Sequence, residues 1–215
     1  MTRRTCHTRR CVSAVCCVAC VAGFAAQAAA QMTAVTRTSR VYAWEHIIDL
    51  GGNDLGITSG EASTTNLLTF DRTVTGGGYT ARQTSSLNSS VATVNCNAFG
   101  NPHSMGFGGA ESRFTFVFDV TSPATFTLEG TQSRFIGDAI VSLSGPGVNT
   151  TIYSNTGTWP GSTPFSYSGL MTGGRYTFEV IATADWGSVD ATLIVIPAPW
   201  SAPLVALVAC TRRRR

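Results

Sequence analysis

The chain has no lysine: all 15 of its basic residues are arginine. Charge of either sign is scarce, 13% of residues against 43% hydrophobic, and that balance excludes an intrinsically disordered chain. Eight of the arginines crowd the ends, Arg3, Arg4, Arg9 and Arg10 before the first apolar run and Arg212, Arg213, Arg214 and Arg215 at the C-terminus. Between residues 32 and 196 seven arginines face all 12 acidic residues, so this body is acidic although the whole chain carries a formal +3. An acidic body without a basic stripe excludes an electrostatic footprint for nucleic acid. Cysteine is missing where a disulfide would matter. Five of the seven (Cys6, Cys11, Cys16, Cys17, Cys20) lie in the first 20 residues, Cys210 lies near the end, and Cys96 stands alone in the body. This excludes a disulfide-built scaffold, and Cys16, Cys17 and Cys20 read as small apolar filler because a zinc site would need partners that the body does not offer.

Recognised catalytic signatures are absent as well: there is no G-x-S-x-G elbow, H-E-x-x-H, P-loop or G-x-G-x-x-G. The body holds two histidines, His46 and His103. His103, in "CNAFGNPHSMGFGG", has two readings. With Cys96 and Ser104 it could build a nucleophilic or metal site; as a polar loop tip beside the Asn101-Pro102 turn it needs no ligand, and function requires a converging constellation. "DLGGNDLG", Asp49 to Gly56, likewise reads as a calcium loop, with Asp49, Asn53 and Asp54 as oxygen donors, or as Asx-Gly turn chemistry, the simpler account. Trp44, Trp159 and Trp186 are either sandwich core or a sugar-stacking platform. No catalytic residue, metal or cofactor is assigned, and Trp159, Trp186 and His103 stand as ligand candidates.

What the sequence does contain is a pair of addresses. The N-terminus "MTRRTCHTRRCVSAVCCVACVAGFAAQAAAQ" has a basic start, an apolar run from Cys11 to Ala25, and small residues before two cutting points, after Ala28 or after Ala30. This is the order of a secretory signal peptide, residues 1–30, which implies the Sec translocon and signal peptidase as partners. A lipoprotein signal at Cys20 would leave the apolar run too short, and Arg9-Arg10 lacks the rest of a twin-arginine pattern. The chain ends "VIPAPWSAPLVALVACTRRRR": Pro197-Ala198-Pro199, an apolar stretch from Trp200 to Cys210, then the arginines. Those 11 residues span about 17 Å as helix, well short of a hydrocarbon core of about 30 Å, and Pro203 interrupts them. A permanent anchor is therefore a poor reading.

This tripartite tail resembles the PEP-CTERM sorting signal of exosortase substrates, with Ala198 where that family typically has Glu. The resemblance implies an exosortase-like membrane enzyme that cuts near Pro197 and Pro199, while Arg212, Arg213, Arg214 and Arg215 stay on the cytoplasmic side, and transient membrane insertion of the segment. The implied location is secreted or envelope-associated, with extracellular polysaccharide as a further candidate partner.

Within the body the hydrophobic period is two. Phe114, Phe116, Phe118 and Val120 share a face; so do Phe126 and Leu128; Ala139, Val141 and Leu143; Tyr176, Phe178 and Val180; and Val189, Ala191, Leu193 and Val195. Turn chemistry follows most of these runs, at Thr121-Ser122-Pro123 and Ser144-Gly145-Pro146-Gly147, and occurs again at Trp159-Pro160-Gly161 and Thr172-Gly173-Gly174. Upstream, Val41 to Ile48, Leu67 to Val74, Gly78 to Thr84 and Ser89 to Asn95 read as edge strands. The expected fold is an all-β antiparallel sandwich over residues 31–196, with a signal helix before it and a short sorting helix over residues 197–215. From Arg113 to Ile196 the order of features resembles jelly-roll or pre-peptidase-C-like modules, carried by Gly145-Pro146-Gly147 and by Leu170, Gly173, Tyr176, Phe178 and Val180. The functions this leaves are a non-enzymatic envelope or matrix protein with a structural or adhesive role, a carbohydrate-binding module, or a hydrolase of undetected type. Peptide mapping of exported material should find a mature N-terminus at Gln31, or at Ala29 if cutting follows Ala28; recovery of residues 1–10 from that material would refute the export signal.

Overall fold

The computed structural model describes residues 32–100, 107–134, 137–153, 162–183 and 186–198. Every regular element among them is a strand: β1 (Met32–Ile48), β2 (Asp54–Thr64), β3 (Thr69–Gly76), β4 (Tyr79–Leu87), β5 (Val91–Gly100), β6 (Phe107–Val120), β7 (Ala124–Arg134), β8 (Ala139–Gly145), β9 (Val148–Tyr153), β10 (Thr163–Met171), β11 (Gly174–Thr183) and β12 (Gly187–Pro197). They form two six-stranded sheets, sheet A in the order β2-β1-β6-β11-β8-β9 and sheet B in the order β10-β7-β12-β5-β4-β3. All pairings are antiparallel. The expected sandwich is thus present; the two terminal helices lie outside the described residues.

Burial follows the alternation read from the sequence, and every inward residue named there from Phe114 to Val195 is buried. Aromatic rings dominate the middle of sheet A. Phe116 stacks on Phe118 at 5.1 Å, Phe118 on Tyr176 at 5.8 Å, and Phe114 meets Phe178 edge-on at 5.8 Å. The Tyr176 hydroxyl lies 3.0 Å from the Pro146 carbonyl and 2.9 Å from that of Thr172, so one core side chain ties together the β8–β9 and β10–β11 turns. A side chain on Gly145 would collide with the Tyr176 ring, and Gly147 has φ +73°, which is why this turn reads Gly-Pro-Gly.

The upstream strands correct the expectation. β1, β4 and β5 are interior strands, not edges: β1 lies between β2 and β6, β4 between β3 and β5, and β5 between β4 and β12. The edges are β2, β3, β9 and β10, of which only β3 was foreseen. An edge strand covers little core, so "DLGITSGEAST", "VNTTIY" and "TPFSYSGLM" show no clean alternation. The central position of β1, β4 and β5 escaped notice because most of their inward positions are small or polar: Ala43, Ala81, Ala92, Ala98 and Cys96, with Arg37, Ser39, Glu45, Gln83 and Ser85.

Both ends of the described chain emerge at one pole. The Met32 amide donates to the Ser89 carbonyl at 2.8 Å and the Ala198 amide to that of Pro123 at 3.2 Å, both acceptors being in turns of that pole. Pro197 is the last residue of β12, paired with Ala124, a strand-end position where its missing N–H costs no ladder bond. The β1–β2 and β3–β4 turns lie at the opposite pole, together with the strand ends at Gly100, Phe107, Arg134, Ala139, Thr183 and Gly187. Phe116→Asp should abolish folding, because an unpaired buried charge costs several kcal/mol against a total stability of about 5 to 15 kcal/mol. Loss of the β signal and of a cooperative urea transition in circular dichroism would be the readout; a native-like transition would refute the core assignment.

Candidate functional site

The sequence-stated candidates divide sharply. Trp159, His103 and Ser104 fall outside the described residues, as do Ala28, Ala30, Pro199, Arg212, Arg213, Arg214 and Arg215. Trp186 is half-buried just before β12, at φ +78°, an unusual conformation for a bulky residue. Its indole N–H donates to the Gly100 carbonyl at 2.7 Å, and its ring meets Phe99 edge-on at 6.0 Å. The ring therefore clasps the end of β5 and is half-covered, not deep in the core.

Cys96 points into the sandwich and is buried, and burial pushes its thiol up to about 12. A thiol held protonated is neither a nucleophile nor a metal ligand at neutral pH. In the β1–β2 turn, Asp49 Oδ1 accepts the amides of Gly51 and Asn53, each at 2.8 Å, and its Oδ2 accepts Asn53 Nδ2 at 2.8 Å. These bonds hold the Asp49 carboxyl below the usual carboxylate range. Asp54 Oδ1 accepts the Gly56 amide at 2.7 Å and lies 2.8 Å from His46 Nε2, a pairing that lowers its pKa. Of the two readings of "DLGGNDLG", the geometry is that of an Asx turn, with the carboxylates turned to the loop's own donors.

Two features were not foreseen. Inside the sandwich, the Arg37 guanidinium is buried with no carboxylate partner among the described residues: Nε donates to Ser39 Oγ at 3.1 Å, Nη1 to the Asn66 carbonyl at 3.0 Å and Nη2 to Ser85 Oγ. Its charge lies 5.5 Å from the Phe114 ring centroid, and burial lowers its pKa. Gln83 joins the group by donating to Ser39 Oγ at 2.9 Å.

On the outside of sheet A, β1 turns Tyr42, Trp44 and His46 outward between β2 and β6. The cross-strand rows are Glu61, Tyr42 and Glu111; Ser59, Trp44 and Gly109; and Ile57, His46 and Phe107. A Cβ on Gly109 would come within 3.2 Å of Trp44 Nε1, so the indole lies across the bare glycine. Phe107 meets Trp44 edge-on at 6.1 Å and His46 at 5.0 Å. Trp44 is thus not a core residue. The Tyr42-x-Trp44-x-His46 alternation was visible in the sequence, but the partner half was hidden because the glycine-rich start of β6 shows no apolar period before Phe114.

No protein-family model and no curated protein matches this chain. The chemistry of the described residues is therefore read from their geometry. Thiol labelling with peptide mapping should leave Cys96 unmodified at pH 8 in the folded protein and modify it fully in urea. Because the folded pKa is raised from 9.0 to about 12, the unfolded state loses the proton first, so Cys96 makes stability fall as pH rises above about 9. Ready labelling of Cys96 in the native state would contradict its place in the core.

Proposed function

We propose that this is a secreted, non-enzymatic protein of the cell envelope or extracellular matrix, delivered through its C-terminal tail and acting in a structural or adhesive role. The single observation that carries the reading is the shared pole of Met32 and Ala198. With a signal peptide leading into β1 and a sorting tail leaving β12, membrane attachment during export would hold the sandwich by that pole and turn the opposite pole and the sheet faces outward. The Sec translocon and signal peptidase act first, and an exosortase-like membrane enzyme acts on the tail. An 11-residue, largely apolar segment broken by Pro203 pauses in a bilayer without settling, while each arginine costs about 2.5 to 3.5 kcal/mol at the membrane centre and so stops translocation.

A second reading, a carbohydrate-binding module, is favoured by the outward aromatic row of β1. It is compatible with the first, since adhesion to extracellular polysaccharide is one form of a matrix role.

Intact-mass analysis of the protein from its native host should show both terminal segments removed, with any attached lipid or glycan as added mass. Replacing Arg212, Arg213, Arg214 and Arg215 with Ser should release an uncut precursor, and replacing Pro197 and Pro199 with Ala should leave an uncut, membrane-associated one. A native protein retaining Arg215 in an envelope that holds the processing enzyme would overturn the sorting reading.

A further inference from the structure

We propose that the outer face of sheet A around Trp44 is a binding platform for a neutral polysaccharide chain. This rests on the adhesive reading above and names the polymer chemistry which that reading leaves open. A pyranose ring offers an apolar C–H face bordered by hydroxyls, so its receptor needs a flat aromatic surface with hydrogen-bonding groups around it. The face has both parts. Half-buried Trp44 lies across Gly109, which has no side chain to cover it, and Phe107 and Ile57, 55% and 67% exposed, continue the apolar surface on the two flanking strands. Trp44's indole N–H has no partner among the described residues, whereas the N–H of Trp186 is occupied by Gly100. A half-buried donor beside an open apolar surface is what a ligand hydroxyl would satisfy.

Charge selects the class of polymer. Arg40 Nε bonds Glu61 Oε1 at 2.8 Å, Arg113 Nε lies 3.2 Å from Glu111 Oε1, and His46 pairs with Asp54. Both arginines bordering the platform are thus engaged by carboxylates, Arg113 also lying 4.0 Å from Glu179 Oε1, so the face lacks the excess positive charge that a polyanionic polysaccharide needs. Paired carboxylates and guanidinium groups still keep spare lone pairs and N–H donors, and sugar hydroxyls can use both. Sites along β1 recur about every 6.8 Å on one face, so a chain lying along the strand could reach the borders of more than one row.

Native affinity electrophoresis of the full chain in a non-ionic detergent tests this, with gels containing hydroxyethylcellulose, dextran or alginate. Retardation in at least one of the two neutral polymers is expected, with little in alginate. Trp44→Ala should weaken binding at least tenfold, and Gly109→Leu, which covers the ring without removing it, should do the same. Phe107→Ala should weaken it less, and Tyr167→Ala, on exposed β10, should bind as the native chain does. Circular dichroism checks each variant, and if Trp44→Ala fails to fold, Gly109→Leu and Phe107→Ala decide. No retardation in either neutral polymer, retardation in alginate alone, or undiminished binding by the folded Trp44 and Phe107 variants would overturn the proposal. A chain that is exported and trimmed normally yet not retarded refutes the platform and leaves the envelope reading standing. One that is retarded but never exported does the reverse.

Discussion

The sandwich depends on the phenylalanine ladder of β6. Phe114, Phe116 and Phe118 project from a strand flanked by β1 and β11, and they pack on one another and on Tyr176 and Phe178 of β11. Each fully buried side chain of this size contributes about 1.5 to 3 kcal/mol, enough that the ladder and its partners account for a large share of the apolar driving force. Because successive side chains of a strand point to opposite faces, committing these residues inward also commits Thr115, Val117 and Asp119 outward, where Asp119 binds Arg175 through bonds of 2.9 and 3.0 Å. A one-residue slip would bury that ion pair and expose the rings, so the ladder fixes register as well as stability.

The other half of the interior is built differently. Opposite the rings, on β12, the core is aliphatic, but between β1, β4 and β5 much of it is taken up by alanines and by the Arg37, Ser39, Gln83 and Ser85 group. A guanidinium buried with only neutral acceptors and a ring face is expensive to desolvate, and three hydrogen bonds offset part of that cost. Its effect is directional. Arg37 bonds β1 to the segment after β2 and to β4, so it joins the two sheets where apolar bulk is thin, and that demand for fixed partners specifies how they stack.

The outer face of sheet A follows from the same alternation. With Val41, Ala43 and Glu45 inward, Tyr42, Trp44 and His46 have nowhere to go but out. Gly109 then matters twice, since it leaves space for the indole and removes the side chain that would have hidden it. The aromatic surface lies toward one pole and the two ends of the described chain at the other, separated by most of the length of β1.

Legibility in the sequence tracked apolar contrast. Where inward residues are large and outward ones polar, as in "RFTFVFDV" and "VDATLIV", strand, face and turn were all readable, because period-two alternation has no other economical solution. "DLGGNDLG" was readable as a turn for a local reason: Asp49 needs only its own neighbours to bond. Strands β1, β4 and β5 were located but misplaced as edges, since an alanine, serine or arginine inside looks the same in sequence as one outside. Edges β2, β9 and β10 bury too little to carry a pattern. The sequence alone therefore determined the class of fold and the inward face of each strand in its apolar half. The tertiary structure decided which strands are central, that Arg37 is buried, that Cys96 is inert, and that Gly109 meets Trp44. Each of these depends on a partner distant in the chain, and no local pattern encodes such a pairing.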